Sequence, residues 1–249
     1  MVARQTRKSR HLVPWTITDA LLALVVEFAL ASVLLAVADN LLHWYGHPDI
    51  FTIVGGSPWW VFLVFLVQNA LLLFVLWFFC WRRYHPTATK LGFRRTALKP
   101  AAGLATLVFF FNLAVVYAYN ALSSYYNFQL PGFGEQEPHL PLFGDSPAGL
   151  ILLAVVAIFI APVLEELFFR GFLQQALIQK MGTGKGLASA SLLFALAHFE
   201  LQVIIPIFIL SLLLGWLFIR ANSLWPGIIF HAINNALALV VEFVVLNSI

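Results

Sequence analysis

Charge is the scarcest commodity in this sequence. Asp, Glu, Lys and Arg make up 10% of the 249 residues, against about 25% in an ordinary soluble domain. Cysteine is nearly missing: Cys80 stands alone, which excludes a disulfide framework and a Cys-based zinc site. Tandem repeats and low-complexity tracts are absent. No cleavable signal peptide is expected, because the basic start runs into an apolar stretch too long for a signal core and without a small-residue cleavage site. Apolar residues fill the space that charge leaves, at 61% of the chain, with 24 Phe and 8 Trp. A soluble sphere of this size cannot bury so much apolar surface. A disordered chain has the opposite composition. The expected fold is all-α: a polytopic transmembrane helical bundle of about seven spans.

The net charge of +3 raises the question of a nucleic-acid partner, and the placement of the charges answers it. The basic residues fall in short runs between apolar stretches, which is a topology signal and not a nucleic-acid footprint. Segments of about 20 apolar residues cross a bilayer as helices. Spans are read near 17–38, 59–81, 100–121, 148–179, 186–201, 204–220 and 225–247. All Lys and Arg except Arg170 then fall in the basic tail 1–16 or in the loops 82–99, 180–185 and around 220. The loops 39–58 and 122–147 hold Asp39, Asp49, Glu135, Glu137 and Asp145 and no Lys or Arg. The positive-inside rule puts the amino terminus in the cytoplasm and the carboxyl terminus outside. Stretch 186–220 is read as two short helices with a turn near 201–204, because His198, Glu200 and Gln202 interrupt it and Pro206 suits a helix start.

Charge inside a span is costly, and so it marks function by default. Glu165, Glu166 and Arg170 all lie in the fourth span. Glu166 and Arg170 are four apart and can pair, whereas Glu165 is rotated about 100° from Glu166 and is free to face something else. At 1.5 Å per residue, Glu165 lies about 22 Å from Lys180, His198 about 20 Å from Lys185 and His231 about 16 Å from Arg220. Three helices thus bring Glu, His and His to a common level. Asn235 sits one turn from His231 on the same face. Glu27, Gln68, Asn69 and Asn112 lie at similar counts on the first three helices, which suggests a hydrated cavity. Taken singly, an intramembrane His or Asn is more often a partner between helices than a catalyst. Gln68, Asn69 and Asn112 stay at that reading, and Glu27 and Glu242 are unassigned. Together, a carboxylate and two imidazoles form a set that activates water or ligates zinc.

These residues form motifs. Glu165-Glu166-Leu-Phe-Phe-Arg170 is an EExxxR motif, Phe194-Ala-Leu-Ala-His198 an FxxxH motif and His231-Ala-Ile-Asn-Asn235 an HxxxN motif. In this order, within apolar helices, they resemble the CPBP intramembrane proteases. That family comprises the CAAX prenyl endopeptidases, or type II CAAX proteases, together with bacteriocin-processing and lysostaphin-resistance-like proteins. The resemblance covers roughly 148–240. It divides the chain into a tail 1–16, accessory helices and loops 17–147 and a protease core 148–249 that places catalytic residues on the last four helices.

The resemblance implies a peptidase in which Glu165, helped by His198, activates water while His231 and Asn235 stabilise the oxyanion. Glu166 and Arg170 would orient the helix and set the field around Glu165. Zinc stays an open alternative, with Glu165, His198 and His231 as ligands. The implied partners are a peptide or prenylated protein and the lipid bilayer, with no nucleic acid, and the expected home is a prokaryotic plasma membrane. Other protease chemistries lack their residues: there is no HExxH, and no GxSxG with a suitable His. Gly144-Asp145 has no second intramembrane Asp to pair with. Two non-enzymes compete with the protease: an idle scaffold or bacteriocin-immunity protein on the same fold, and a small proton-coupled transporter using Glu165, Arg170 and His198 as a relay. The intact motif set argues against the first, and the lack of two related halves against the second.

Overall fold

A computed structural model of the chain describes residues 13–47, 57–133, 140–143 and 146–246. Most of the basic tail and the acidic residues Asp49, Glu135, Glu137 and Asp145 lie outside the described residues. Every regular element among the described residues is helical. The long ones are α1 (Ile17–Trp44), α2 (Pro58–Tyr84), α3 (Leu98–Tyr126), α4 (Pro147–Met181), α5 (Thr183–Leu196), α6 (Ile204–Ala221) and α7 (Trp225–Leu246).

Their ends follow local rules. Pro58 opens α2, where its missing N–H costs nothing. Ser146 caps α4 by accepting the Gly149 N–H at 3.1 Å, with Pro147 next to it. Asn127 and Asn222 end α3 and α6 in the left-handed conformation, at φ 50° and 52°.

Among the described residues, six helices are long and apolar enough to cross a membrane: α1 to α4, α6 and α7. The protein is thus an integral membrane protein. The seventh expected span is the short one. With 14 residues, α5 reaches about 21 Å, less than the roughly 30 Å of a hydrocarbon core. The break in 186–220 begins at Ala197 and closes with a tight turn over Leu201–Val203, so that Pro206 lies in the first turn of α6. Phe199 takes φ 56° there, which reverses the chain.

The chain divides into two compact units. The first comprises Met1–Ile17, Pro86–Glu137 and Glu165–His231. Its axis is the second half of α4, where every residue from Glu166 to Ile178 is buried. Helix α5 folds back on it through a hairpin that needs Gly186, since a Cβ there would come within 2.5 Å of the Ile178 nitrogen. Val108, Leu214, Leu217 and Phe230 form a core cluster joining α3, α6 and α7. The basic loop 86–97 is tied down as well: Gln175 donates to the Lys90 carbonyl at 3.0 Å, and the Gly92 carbonyl accepts the Leu224 N–H at 2.9 Å.

The second unit comprises Thr18–His85, Pro138–Leu164 and Ala232–Ile249. Its core holds Val61, Phe143, Leu152 and Leu153, with Leu239 packed against them. Asp19, buried in the first turn of α1, accepts from Arg83 at 2.8 Å and from Tyr84 at 2.7 Å. Glu27 and Cys80 are buried in this unit, whereas Gln68 is exposed and Asn69 bonds its own helix at the Phe65 carbonyl, 2.7 Å away.

Candidate active site

The site grows from an irregularity in α4. Over Val155–Ile160 and Glu166–Gln174 the helix widens to the π form, a geometry that recurs at functional sites because it re-aims side chains and loosens the backbone ladder. Side chains reach carbonyls of both widened stretches. The Trp15 indole donates to Phe172 at 2.9 Å, Gln175 donates to Gly171, and Asn235 donates to Ala157 at 2.9 Å. The second stretch carries the EExxxR motif.

Glu166 and Arg170 pair, as their spacing predicts, at 3.0 Å with side chains 0% and 1% exposed. A charge pair so deeply buried offsets its desolvation cost better the more of its remaining polar atoms find partners. Arg170 Nη2 therefore donates to the Ser211 hydroxyl at 2.9 Å and to the Ser211 carbonyl at 3.3 Å. The guanidinium also lies over the Phe194 ring, 4.3 Å from its centroid, a cation–π contact worth about 2 kcal/mol when desolvated.

Helix α7 brings His231 to the same carboxylate. His231 Nδ1 lies 3.2 Å from Glu166 Oε1, and Nε2 lies 3.9 Å from Glu165 Oε2. A carboxylate accepts, so Nδ1 carries the hydrogen and Nε2 is presented to Glu165. Gly227, one turn before His231, makes the seat for Glu166: a Cβ there would come within 3.1 Å of Glu166 Oε2. Glu165 is half-buried, and its Oε2, like that of Glu166, has no hydrogen-bond partner among the described residues.

Glu165, Glu166, Arg170 and His231 are thus gathered. His198 forms no hydrogen bond or ion pair with them. Its Nδ1 is 2.8 Å from the Phe194 carbonyl, one turn back at the fraying end of α5. What links it to the group is the Phe194 ring, centred 4.7 Å from the His198 ring and 6.1 Å from that of His231. Asn235 lies one turn beyond His231 on α7, with one amide hydrogen committed to Ala157. The three side chains that would ligate zinc do not converge: no group of three His, Cys, Asp or Glu side chains able to hold a metal ion occurs among the described residues.

Reasoning from sequence missed three participants. Phe194 was visible as the first letter of FxxxH, but nothing in the motif says that Arg170 and two imidazoles share its ring. Ser211 sits 41 residues from Arg170 without local signal. Gly227 reads as an ordinary small residue near a helix start.

No curated protein and no solved structure matches the chain significantly. Residues 147–237, from the head of α4 to the middle of α7, match the family model described as type II CAAX prenyl endopeptidase Rce1-like.

Proposed function

We propose that the protein is an intramembrane endopeptidase that hydrolyses a peptide bond with water activated by Glu165. The observation that carries this reading is the arrangement around His231. One ring nitrogen is held by Glu166 at 3.2 Å and the other stands 3.9 Å from a Glu165 oxygen that has no hydrogen-bond partner among the described residues. That separation is too long for a hydrogen bond, and it is close to what one water spans with two bonds of about 2.8 Å.

Glu165 takes a proton from the water as its oxygen attacks the scissile carbonyl carbon. The carbonyl oxygen becomes an oxyanion, and donors aimed at it lower the barrier. His231 is placed for that task when Nε2 carries a proton, and the motif match adds the second amide hydrogen of Asn235. The tetrahedral intermediate collapses with cleavage of the C–N bond, and Glu165 returns its proton to the leaving amine. Glu166 and Arg170 fix the ring of His231 and hold the widened helix. His198 assists Glu165 from the Phe194 side. As placed, Glu165, His198 and His231 do not converge on a zinc site, and the steps above use only the chain's own groups.

The substrate class is a peptide or prenylated protein, as the family match suggests. By the positive-inside rule the amino terminus lies in the cytoplasm, and counting the short α5 as a crossing puts the carboxyl terminus outside; the depth count along the helices opens the catalytic residues toward the cytoplasm. The deciding experiment is cleavage of a fluorogenic prenylated peptide by purified protein, with and without a strong chelator. Turnover that survives chelation and vanishes in Glu165→Ala supports the reading. Turnover lost to the chelator and restored by zinc moves it to a metallopeptidase. A protein that cleaves neither prenylated nor plain peptides is the idle scaffold.

A further inference from the structure

We propose that Ser211 is a positioning residue for the peptidase: through Arg170 and Glu166 it sets the orientation of the His231 ring. The inference rests on the function proposed above. The route is a chain of short contacts within the first unit. Ser211 Oγ accepts from Arg170 Nη2 at 2.9 Å, Arg170 Nη1 meets Glu166 Oε1 at 3.0 Å, and that same Oε1 meets His231 Nδ1 at 3.2 Å. Arg170 and His231 therefore share one carboxylate oxygen. Where the guanidinium stands decides how that oxygen is divided between them.

Ser211 is buried, as are Arg170, Glu166 and His231, so no exposed water competes for these donors and acceptors. Without its hydroxyl, Arg170 Nη2 keeps only the Ser211 carbonyl at 3.3 Å. The anionic oxygen of Glu166 is then its best acceptor, and the guanidinium moves toward it. Glu166 is drawn off His231, and the imidazole loses the bond that fixes its tautomer and angle. A misplacement of a fraction of an ångström is enough to slow the chemistry, while substrate binding, which uses other surfaces, is spared.

A neighbouring contact supplies the control. One turn further along both helices, Gln174 Nε2 donates to the Gly215 carbonyl at 3.1 Å, across the same 41-residue interval. This bond ties α4 to α6 just as Arg170–Ser211 does, but it touches neither Glu166 nor His231. If Ser211 merely held the helices together, losing Gln174 would have the same consequences.

The experiment compares purified Ser211→Ala, Ser211→Thr, Gln174→Ala and Glu165→Ala on a prenylated fluorogenic peptide. Ser211→Ala is expected to lower kcat roughly tenfold with little change in KM, Ser211→Thr to restore most of it, and Gln174→Ala to lower the thermal midpoint while sparing kcat. A second measurement needs no substrate: the nitrogen-NMR signals of the His231 ring should move in Ser211→Ala and stay in place in Gln174→Ala. Wild-type kcat and an unmoved His231 signal in Ser211→Ala overturn the proposal, as does an equal loss of kcat in Gln174→Ala. Full turnover in Glu165→Ala is a different failure, that of the assigned base, and the His231 signal still decides the case of Ser211.

Discussion

In the first half of α4, residues 147–164, Ile151 and Phe159 are 63% and 66% exposed; in the second half every residue from Glu166 to Ile178 is buried. The first half carries no charged residue, and the second carries Glu165, Glu166, Arg170, Gln174 and Gln175. A soluble protein would show the reverse. In a bilayer, exposure of Ile or Phe to lipid costs nothing, so burial of apolar groups drives little. Polar groups are the ones that must be enclosed and satisfied. Here Arg170 finds Glu166, Phe194 and Ser211, and Gln174 finds the Gly215 carbonyl. The helix is thus partitioned by what its residues can hydrogen-bond, and the proposed chemistry lies in the enclosed part.

The contrast can be broken most severely at the reacting groups. Glu165→Gln and His231→Ala are expected to lower kcat about 10²- to 10⁴-fold while the protein still accumulates in membranes, as single-turnover cleavage and immunoblotting would show. Next comes the buried pair. Arg170→Ala leaves the Glu166 carboxylate enclosed and uncompensated, at a cost of about 3–5 kcal/mol. Unfolding in detergent should show that loss, and replacing both partners by neutral residues should recover much of it. Leu173, fully buried in the second half, should lose about 2–5 kcal/mol as Ala.

A finer probe is Gly227→Ala. The new Cβ would lie 3.1 Å from Glu166 Oε2, forcing the carboxylate aside by a few tenths of an ångström, and kcat should fall roughly tenfold with stability nearly kept. The smallest effect belongs to the exposed half. Ile151→Ala should stay within about 0.5 kcal/mol of the wild type. If it destabilised as much as Leu173→Ala, the partition of α4 would be misread and the exposed Ile151 face would need a packed partner.

Much of this was legible in the residues. Six of the expected spans are present as long helices, because about 20 apolar residues in lipid have no other way to satisfy their backbone. The break in 186–220 was readable from His198, Glu200 and Pro206. The length of α5 was not: no residue pattern marks Ala197 as the point where the helix gives way to the turn at Ala197–Glu200, with Phe199 at φ 56°. Helix counting put Glu165, His198 and His231 at one depth, yet depth is only one coordinate. It did not reveal that His198 turns its Nδ1 to the Phe194 carbonyl while His231 turns toward the two carboxylates.

By itself the sequence determined the membrane class, the helical fold, the i, i+4 pairing of Glu166 with Arg170 and the motif set, since each of these depends on composition or on spacing within one helix. The tertiary structure alone decided which partners share an atom. Glu166 Oε1 serves both Arg170 and His231, Phe194 supports Arg170 beside both imidazoles, Ser211 completes the guanidinium and Gly227 makes room for the carboxylate. Those contacts join residues far apart in the chain, and the distances between them are set by how helices pack, which no local pattern encodes.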